Sequence, residues 1–230
     1  MTSLCKGRER LRLLIATNFG NHRSRNQCWT RLNSVFEPLS FEGCILENKA
    51  VIIIDMLNDF VTGKLEAKRA QHIIPNLKRL VEGARENSVP VIYSNDAHYP
   101  QDVEVTRKWG NHAIKGTKGA KVIPELEPAK KDYVVEKRTY SSFYETGLDP
   151  LLRSLYKGEG VKTVVLGGLH TNMCVRHTAA DAFFRGYKIL VAADGCEAFT
   201  KKDHEEGLKY LEYVYNAKIM KVDEIIKEFE

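Results

Sequence analysis

The chain has 230 residues, which fits one domain and leaves little room for two. Hydrophobic residues make up 43% and charged residues 28%, the balance of a soluble globular protein, and no apolar run approaches the ~18 residues of a membrane span. Net charge is +5, but residues 1–49 hold eight Lys/Arg against four Asp/Glu, so the remainder is near neutral and carries no nucleic-acid footprint.

Residues 1–45 read differently from the rest. They hold scattered arginines (Arg8, Arg10, Arg12, Arg23, Arg25, Arg31) and aromatics, and no sustained hydrophobic period. The apolar piece Leu13–Ala16 is too short for a signal-peptide core, and no small-residue cleavage site follows it. An Arg-rich, acid-poor leader matches an organelle transit peptide in composition; a true start near Leu46 explains it equally simply. Under either reading, residues 1–45 are expected to be disordered or poorly packed, with the folded domain at residues 46–230. Five cysteines (Cys5, Cys28, Cys44, Cys174, Cys196) at no CxxC spacing form neither a disulfide framework nor a zinc ribbon, and a reducing, cytoplasmic compartment is expected.

From residue 49 strand and helix signals alternate. Ala50–Ile54 is a short continuous apolar run, as in a strand buried on both faces. Apolar positions at 73, 74, 77, 80, 81 and 84 predict a helix over Ile73–Asn87. Val89–Tyr93 predicts a second strand, and Asn95–Lys131 an irregular stretch. Asp132–Val135 is a third strand, Asp149–Tyr156 a helix, Val161–Leu166 a fourth strand. Met173–Arg185 is a helix closed by Gly186, Tyr187–Val191 a fifth strand, His204–Tyr213 a helix, Ala217–Met220 a sixth strand and Val222–Phe229 a last helix. The alternation predicts a single α/β domain, a doubly wound six-stranded parallel sheet flanked by helices.

Such sheets place their chemistry beyond the carboxyl ends of the strands. Asp55 ends strand one, Lys137 comes two residues after strand three, and Cys174 opens the helix after strand four. There is no GxGxxG after the first strand and no GxxxxGK[ST], which disfavours dinucleotide and P-loop nucleotide chemistry.

Three segments, in order, resemble one family. Ile53-Ile54-Asp55-Met56-Leu57-Asn58-Asp59-Phe60 is similar to the first motif of the isochorismatase-like cysteine hydrolases. Lys137-Arg138-Thr139-Tyr140-Ser141-Ser142-Phe143 is similar to their lysine motif, and Gly167-Gly168-Leu169-His170-Thr171-Asn172-Met173-Cys174-Val175 to their nucleophile segment. The resemblance implies an Asp55–Lys137–Cys174 triad. Cys174 is then the nucleophile, Asp55 the group that takes and returns its proton, and Lys137 the cation that keeps Asp55 ionised and favours thiolate. It also implies a non-prolyl cis peptide between Leu169 and His170, with the backbone N–H groups of His170 and Cys174 forming an oxyanion hole. Asp96-Ala97-His98 and His112, within Trp109-Gly110-Asn111-His112, resemble the metal site of the nicotinamidase branch. The donors suit zinc first, with iron or manganese as alternatives. A further histidine ligand of some relatives is missing, with Asp102 and Glu104 nearby instead. Phe60 and Trp109 match aromatic positions that flank the substrate ring.

The implied activity is a cysteine amidohydrolase that releases ammonia from a small amide, nicotinamide first, through a thioester acyl-enzyme. An N-carbamoyl or ureido amidase of the same family is the alternative. Leu57 stands where many nicotinamidases carry Gln, and His170 where they carry a small residue. Vinyl-ether cleavage, which relatives perform without the cysteine, is disfavoured by Cys174. A binding protein using the basic leader, or a thiol redox protein lacking CxxC, is a remote reading. Cys196 reads as buried packing and His177 as a helix residue without a role. The expected partners are a small amide and further copies of the chain in a homo-oligomer, with no nucleic acid and no membrane.

Overall fold

The computed structural model describes residues 47–230; the leader over residues 1–45, with its expected disorder, lies outside the described residues. Six strands, β1 (Lys49–Ile54), β2 (Val91–Asp96), β3 (Tyr133–Lys137), β4 (Thr163–Leu169), β5 (Lys188–Glu197) and β6 (Lys218–Met220), form one sheet in the order β3-β2-β1-β4-β5-β6. Every neighbouring pair is parallel. The helices are α1 (Asn58–Val61), α2 (Ile74–Glu86), α3 (Leu148–Ser154), α4 (Cys174–Phe184), α5 (Lys201–Tyr215) and α6 (Val222–Lys227).

Alternation along β1 builds both faces at once. Val51 and Ile53 pack with Leu77, Leu80 and Ala84 of α2 and with Val222 and Ile225 of α6. Ala50, Ile52 and Ile54 point the other way, into a core with Leu148 and Leu152 of α3, Val175 and Ala179 of α4, and Leu211 of α5. All five apolar positions of β1 are fully buried, which explains why it reads as an unbroken apolar run. Among the described residues no helix is long and apolar enough to cross a membrane.

Four strands run further toward their carboxyl ends than their apolar patterns predict. β2 continues through Ser94, Asn95 and Asp96, β3 through Glu136 and Lys137, β4 through Gly167–Leu169, and β5 to Glu197. Polar residues and glycines interrupt these extensions, which ends a hydrophobic pattern without ending the ladder: Asp96 still pairs with Lys137, and Ile54 with Gly168. Lys137 is therefore the last residue of β3 and not two residues beyond it. α5 starts at Lys201 and not at His204, because the Thr200 hydroxyl accepts the Asp203 N–H and caps the helix. The stretch expected to be irregular, Asn95–Lys131, holds one π-helical turn at Val105–Trp109 and a 3₁₀ turn at Pro124–Leu126.

The strand order reverses between β1 and β4, which sets the crevice at their carboxyl ends. β4 approaches β1 so closely there that a Cβ on Gly168, at φ +114°, would sit 2.0 Å from Ile54 O. β4 and β5 lose register between Leu166 and Gly168: Leu166 pairs with Val191, but Gly168 pairs with Cys196. This bulge lets β5 rejoin the ladder beside the crevice.

Candidate active site

Asp55 is the first residue past β1. Its left-handed backbone (φ +54°) turns the chain out of the sheet. Its Oδ1 accepts the Asp96 N–H at 2.8 Å, and its Oδ2 lies 2.8 Å from Lys137 Nζ. Lys137 also pairs with Asp96 Oδ1. The lysine thus sits between two carboxylates from neighbouring strands, and all three side chains are buried. Cys174 begins α4, also buried, and its sulfur lies within 4.8 Å of an oxygen from each aspartate. The sequence placed Asp96 with the metal-ligating residues; the structure places it beside Lys137 as well, so it belongs to both groups. The signal for this was strand adjacency, since Asp96 and Lys137 are register partners on β2 and β3.

The electrostatics follow from burial. Burial and the neighbouring Asp96 carboxylate push Asp55 up to about 7, against the opposing pull of Lys137. Burial would raise Asp96 too, but Lys137 and His98 outweigh it and hold Asp96 at about 2. Burial alone would drive Lys137 neutral; Asp55 and Asp96 reverse that and keep it firmly protonated. The Cys174 thiol is pushed well up by burial, with Lys137 pulling it back and Asp55 adding to the rise. The centre therefore holds one lysine cation, one firmly ionised carboxylate, a thiol that keeps its proton, and beside it a carboxyl that titrates near neutral pH.

The peptide bond between Leu169 and His170 is cis. The turn into α4 is closed by the Met173 and Val175 N–H groups on His170 O, at 2.9 and 3.2 Å. The N–H groups of His170 and Cys174 take no part in those bonds. Over this turn lies a narrow pocket walled by Phe60, Trp109, Tyr140, His170 and Phe199, with Glu104 at its edge. Trp109, at the end of the π-helical turn, donates its indole N–H to Tyr140 Oη at 3.1 Å. The His170 ring stacks on Phe199 with centroids 4.2 Å apart, and burial pushes it down to about 4, so it is neutral at pH 7. Phe60 and Trp109, the two aromatics singled out from the sequence, both line this pocket; Tyr140, Phe199 and Glu104 were not singled out there as pocket residues, although Tyr140 lay inside the lysine motif.

Asp96, His98 and His112 bring one donor atom each within 4.8 Å of one another, and all three are buried. Among the described residues, neither nitrogen of the fully buried His98 ring makes a well-aligned hydrogen bond, and each meets a carboxylate at a long separation instead. Its Nε2 faces Asp96 Oδ2 at 3.4 Å and its Nδ1 faces Asp102 Oδ2 at 3.4 Å. His112 Nδ1 donates to Gly110 O at 2.8 Å, leaving the Nε2 lone pair free to ligate. One carboxylate and two imidazoles, one of them without a well-aligned hydrogen bond at either nitrogen, fit a divalent transition ion. Asp102, noted from sequence as a neighbour of this group, is instead clamped by the Arg138 guanidinium and orients His98 from behind. Asp59 ties down the loop that carries His112: its Oδ2 accepts the Ala113 N–H at 2.8 Å, and its own N–H donates to Gly119 O at 3.0 Å. A Cβ on Gly119 would fall 2.1 Å from that carboxylate. Cys196 is buried in β5, as predicted. His177 bonds back to Met173 O at 2.9 Å, and its ring lies tilted against Tyr140 with centroids 5.3 Å apart.

The fold and this cluster define a parallel α/β protein whose cysteine, lysine and carboxylates converge at the switch point of the sheet. An isochorismatase-domain family model matches residues 49–224, and the chain belongs to that family of hydrolases. It is 41% identical to a solved N-carbamoylsarcosine amidase of Thermoplasma acidophilum (TM-score 0.70, covering 76% of this chain and 97% of that one). It is 31% identical to nicotinamidase 3 of Arabidopsis thaliana over 71% of this chain and 80% of that protein. A pyrazinamidase of Pyrococcus horikoshii, solved in complex with zinc, is 27% identical (TM-score 0.69, covering 76% of this chain and 99% of that one).

Proposed function

We propose that the protein is a cysteine amidohydrolase that releases ammonia from a small amide, with nicotinamide as the first substrate to test. The observation that carries this reading is the buried cluster of Cys174, Asp55 and Lys137 at one strand-end crevice. Asp55 takes the thiol proton, and Sγ attacks the amide carbonyl. The backbone N–H groups of His170 and Cys174 receive the oxyanion. As the tetrahedral intermediate collapses, the C–N bond breaks and Asp55 returns its proton to the departing nitrogen, which leaves as ammonia. Asp55 then takes a proton from water, the water oxygen attacks the thioester, and Cys174 is released with its proton as the carboxylic acid forms. Lys137 keeps its charge throughout, balancing whichever of Asp55 and Cys174 is anionic.

Asp96, His98 and His112 would hold a divalent ion, zinc first. When bound, the ion supplies a Lewis-acidic site that fixes a ring nitrogen or a water beside the substrate. Phe60 and Trp109 hold a planar ring between them. A second reading, an N-carbamoyl amidase, is favoured by the 41% identity to the Thermoplasma enzyme and by the neutral His170 ring, whose buried Nε2 has no hydrogen-bond partner among the described residues. Ammonia release measured on nicotinamide, pyrazinamide and N-carbamoyl amino acids tests both. Turnover of nicotinamide alone supports the first reading, turnover of the carbamoyl compounds alone supports the second, and no turnover of any compound by metal-loaded protein rejects the amidase reading.

A further inference from the structure

The nucleophile turn is held by more than its own backbone. Thr171, the residue after the cis peptide, donates its N–H to Glu197 O at 2.9 Å, and its hydroxyl bonds His204 Nδ1 at 2.8 Å. Glu197 is the last residue of β5, brought beside Leu169 by the bulge between β4 and β5. Its buried carboxylate accepts the Ala198 N–H at 3.0 Å and pairs with Arg69 at 2.8 Å, from the link between α1 and α2. His204 comes from the first turn of α5 and stands 4.0 Å from Oε1, the carboxylate oxygen that accepts the Ala198 N–H. α5 also lies directly on the turn: a Cβ at Gly207 would come within 3.0 Å of Thr171 Cγ2 and 3.2 Å of the Asn172 nitrogen. Two separated elements, the end of β5 and the first half of α5, thus meet on Thr171, and Arg69 reaches it only through Glu197.

We infer that Thr171, Glu197 and His204 are positioning residues that fix where the His170 and Cys174 N–H groups point, and so set the rate of the chemical step. The inference rests on Cys174 being the nucleophile. A hydroxyl that only filled space would be replaceable by the isosteric valine. A hydroxyl that aims the turn is not, because oxyanion donors act only when aligned to where charge develops. A His204 ring and a Glu197 backbone carbonyl on different elements also give the turn a single seat, where one hydrogen bond would leave it free to rock. The stabilisation in question exists in the transition state and not in the bound amide, so its loss falls on kcat and leaves KM in place.

The test uses the full chain with whichever amide the wild type hydrolyses best. Thr171→Val is expected to lower kcat by about 10–100-fold with KM within about twofold. Thr171→Ser, which keeps the hydroxyl, is expected to return kcat to within about threefold of wild type, and His204→Ala to resemble Thr171→Val. A second readout does not need turnover. Pyridine-3-carboxaldehyde adds to a cysteine thiol to give a tetrahedral adduct whose oxygen uses the same donors. Its affinity is expected to drop at least about tenfold in Thr171→Val, while alkylation of Cys174 by iodoacetamide stays within about twofold. Wild-type kcat and aldehyde affinity in Thr171→Val would overturn the inference. So would equal losses in the Val and Ser variants accompanied by a lowered unfolding midpoint, which would reduce Thr171 to packing. A wild type that neither hydrolyses any amide nor forms the adduct would overturn the nucleophile reading and this inference with it; wild-type activity with an unaffected Thr171→Val overturns this one alone.

Discussion

At the level of single residues, the site rests on a lysine between two carboxylates, and that arrangement separates chemistry from stability. Cys174 makes no ion pair, so Cys174→Ala should abolish turnover, by at least about 10⁴-fold, while changing unfolding free energy by no more than about 1 kcal/mol. Lys137 is different. Its side chain is fully buried against Asp55 and Asp96, so Lys137→Met leaves two carboxylates facing each other without a cation. That should cost about 3–5 kcal/mol on top of the loss of activity. Urea unfolding of the two variants beside ammonia release checks the contrast, and a Lys137→Met protein as stable as Cys174→Ala would show that the lysine is not compensating buried charge. The convergence of Asp55, Lys137 and Cys174 was legible in the sequence, because their motifs put the first two at strand ends and the third at the start of the helix after β4. The double role of Asp96 was not: it depends on which strand neighbours β2, and no local pattern carries that. His204 was likewise invisible, since it meets Thr171 across 33 positions of chain.

At the level of elements, the six strands and five longer helices were legible because their apolar faces are periodic, and the strand ends were not, because the site occupies them. Ser94-Asn95-Asp96 and Gly167-Gly168 look like loop residues and are ladder residues, placed where function needs polar groups and close backbones. Gly168 shows the cost of that closeness. Its φ of +114° and the 2.0 Å gap between a Cβ and Ile54 O leave no room for a side chain. Gly168→Ala is expected to lose roughly 2–5 kcal/mol from combined backbone strain and overlap. Gly147→Ala at the start of α3, where a Cβ meets nothing within 4 Å, should be nearly neutral. Chemical denaturation of the pair measures both, and a Gly168→Ala protein as stable as the control would mean that β4 can move away from β1. The loop between β2 and β3 belongs to the same scale, since it brings His112 back to Asp96 and His98. One divalent ion per chain is expected by elemental analysis, lost in His98→Ala and in His112→Ala. Because the sheet has its own core, chelation should leave the fold intact while raising KM for a pyridine amide by about tenfold or more. Metal-free protein that hydrolyses nicotinamide with unchanged constants would remove the ion from substrate binding.

At the level of the whole molecule, one sheet with both faces covered explains how a near-neutral body can bury Asp55, Asp96, Lys137 and Cys174 together at its strand ends. α2 and α6 close one face of the sheet and α3, α4 and α5 the other. The first ladder residue is Lys49, which pairs with Thr163, and the chain before it is already anchored at Asn48, whose carbonyl accepts the Lys162 N–H at 2.8 Å. Glu47 contributes as well, accepting from the Thr163 hydroxyl at 2.9 Å. Every residue of the catalytic cluster, the ligand set and the pocket wall lies after these two. A chain starting at Leu46 is therefore expected to fold with the full chain's unfolding midpoint, hydrolyse its amide with the same kcat and KM, and bind the same amount of metal. Starting instead at Val51 removes the edge contacts of Glu47 and Asn48 and two residues of a central strand, so that shorter chain should be insoluble or strongly destabilised. Thermal unfolding and ammonia release on the three chains settle where the folded unit begins. If the Leu46 chain lost activity while the full chain kept it, the basic leader would have to be counted as part of the enzyme.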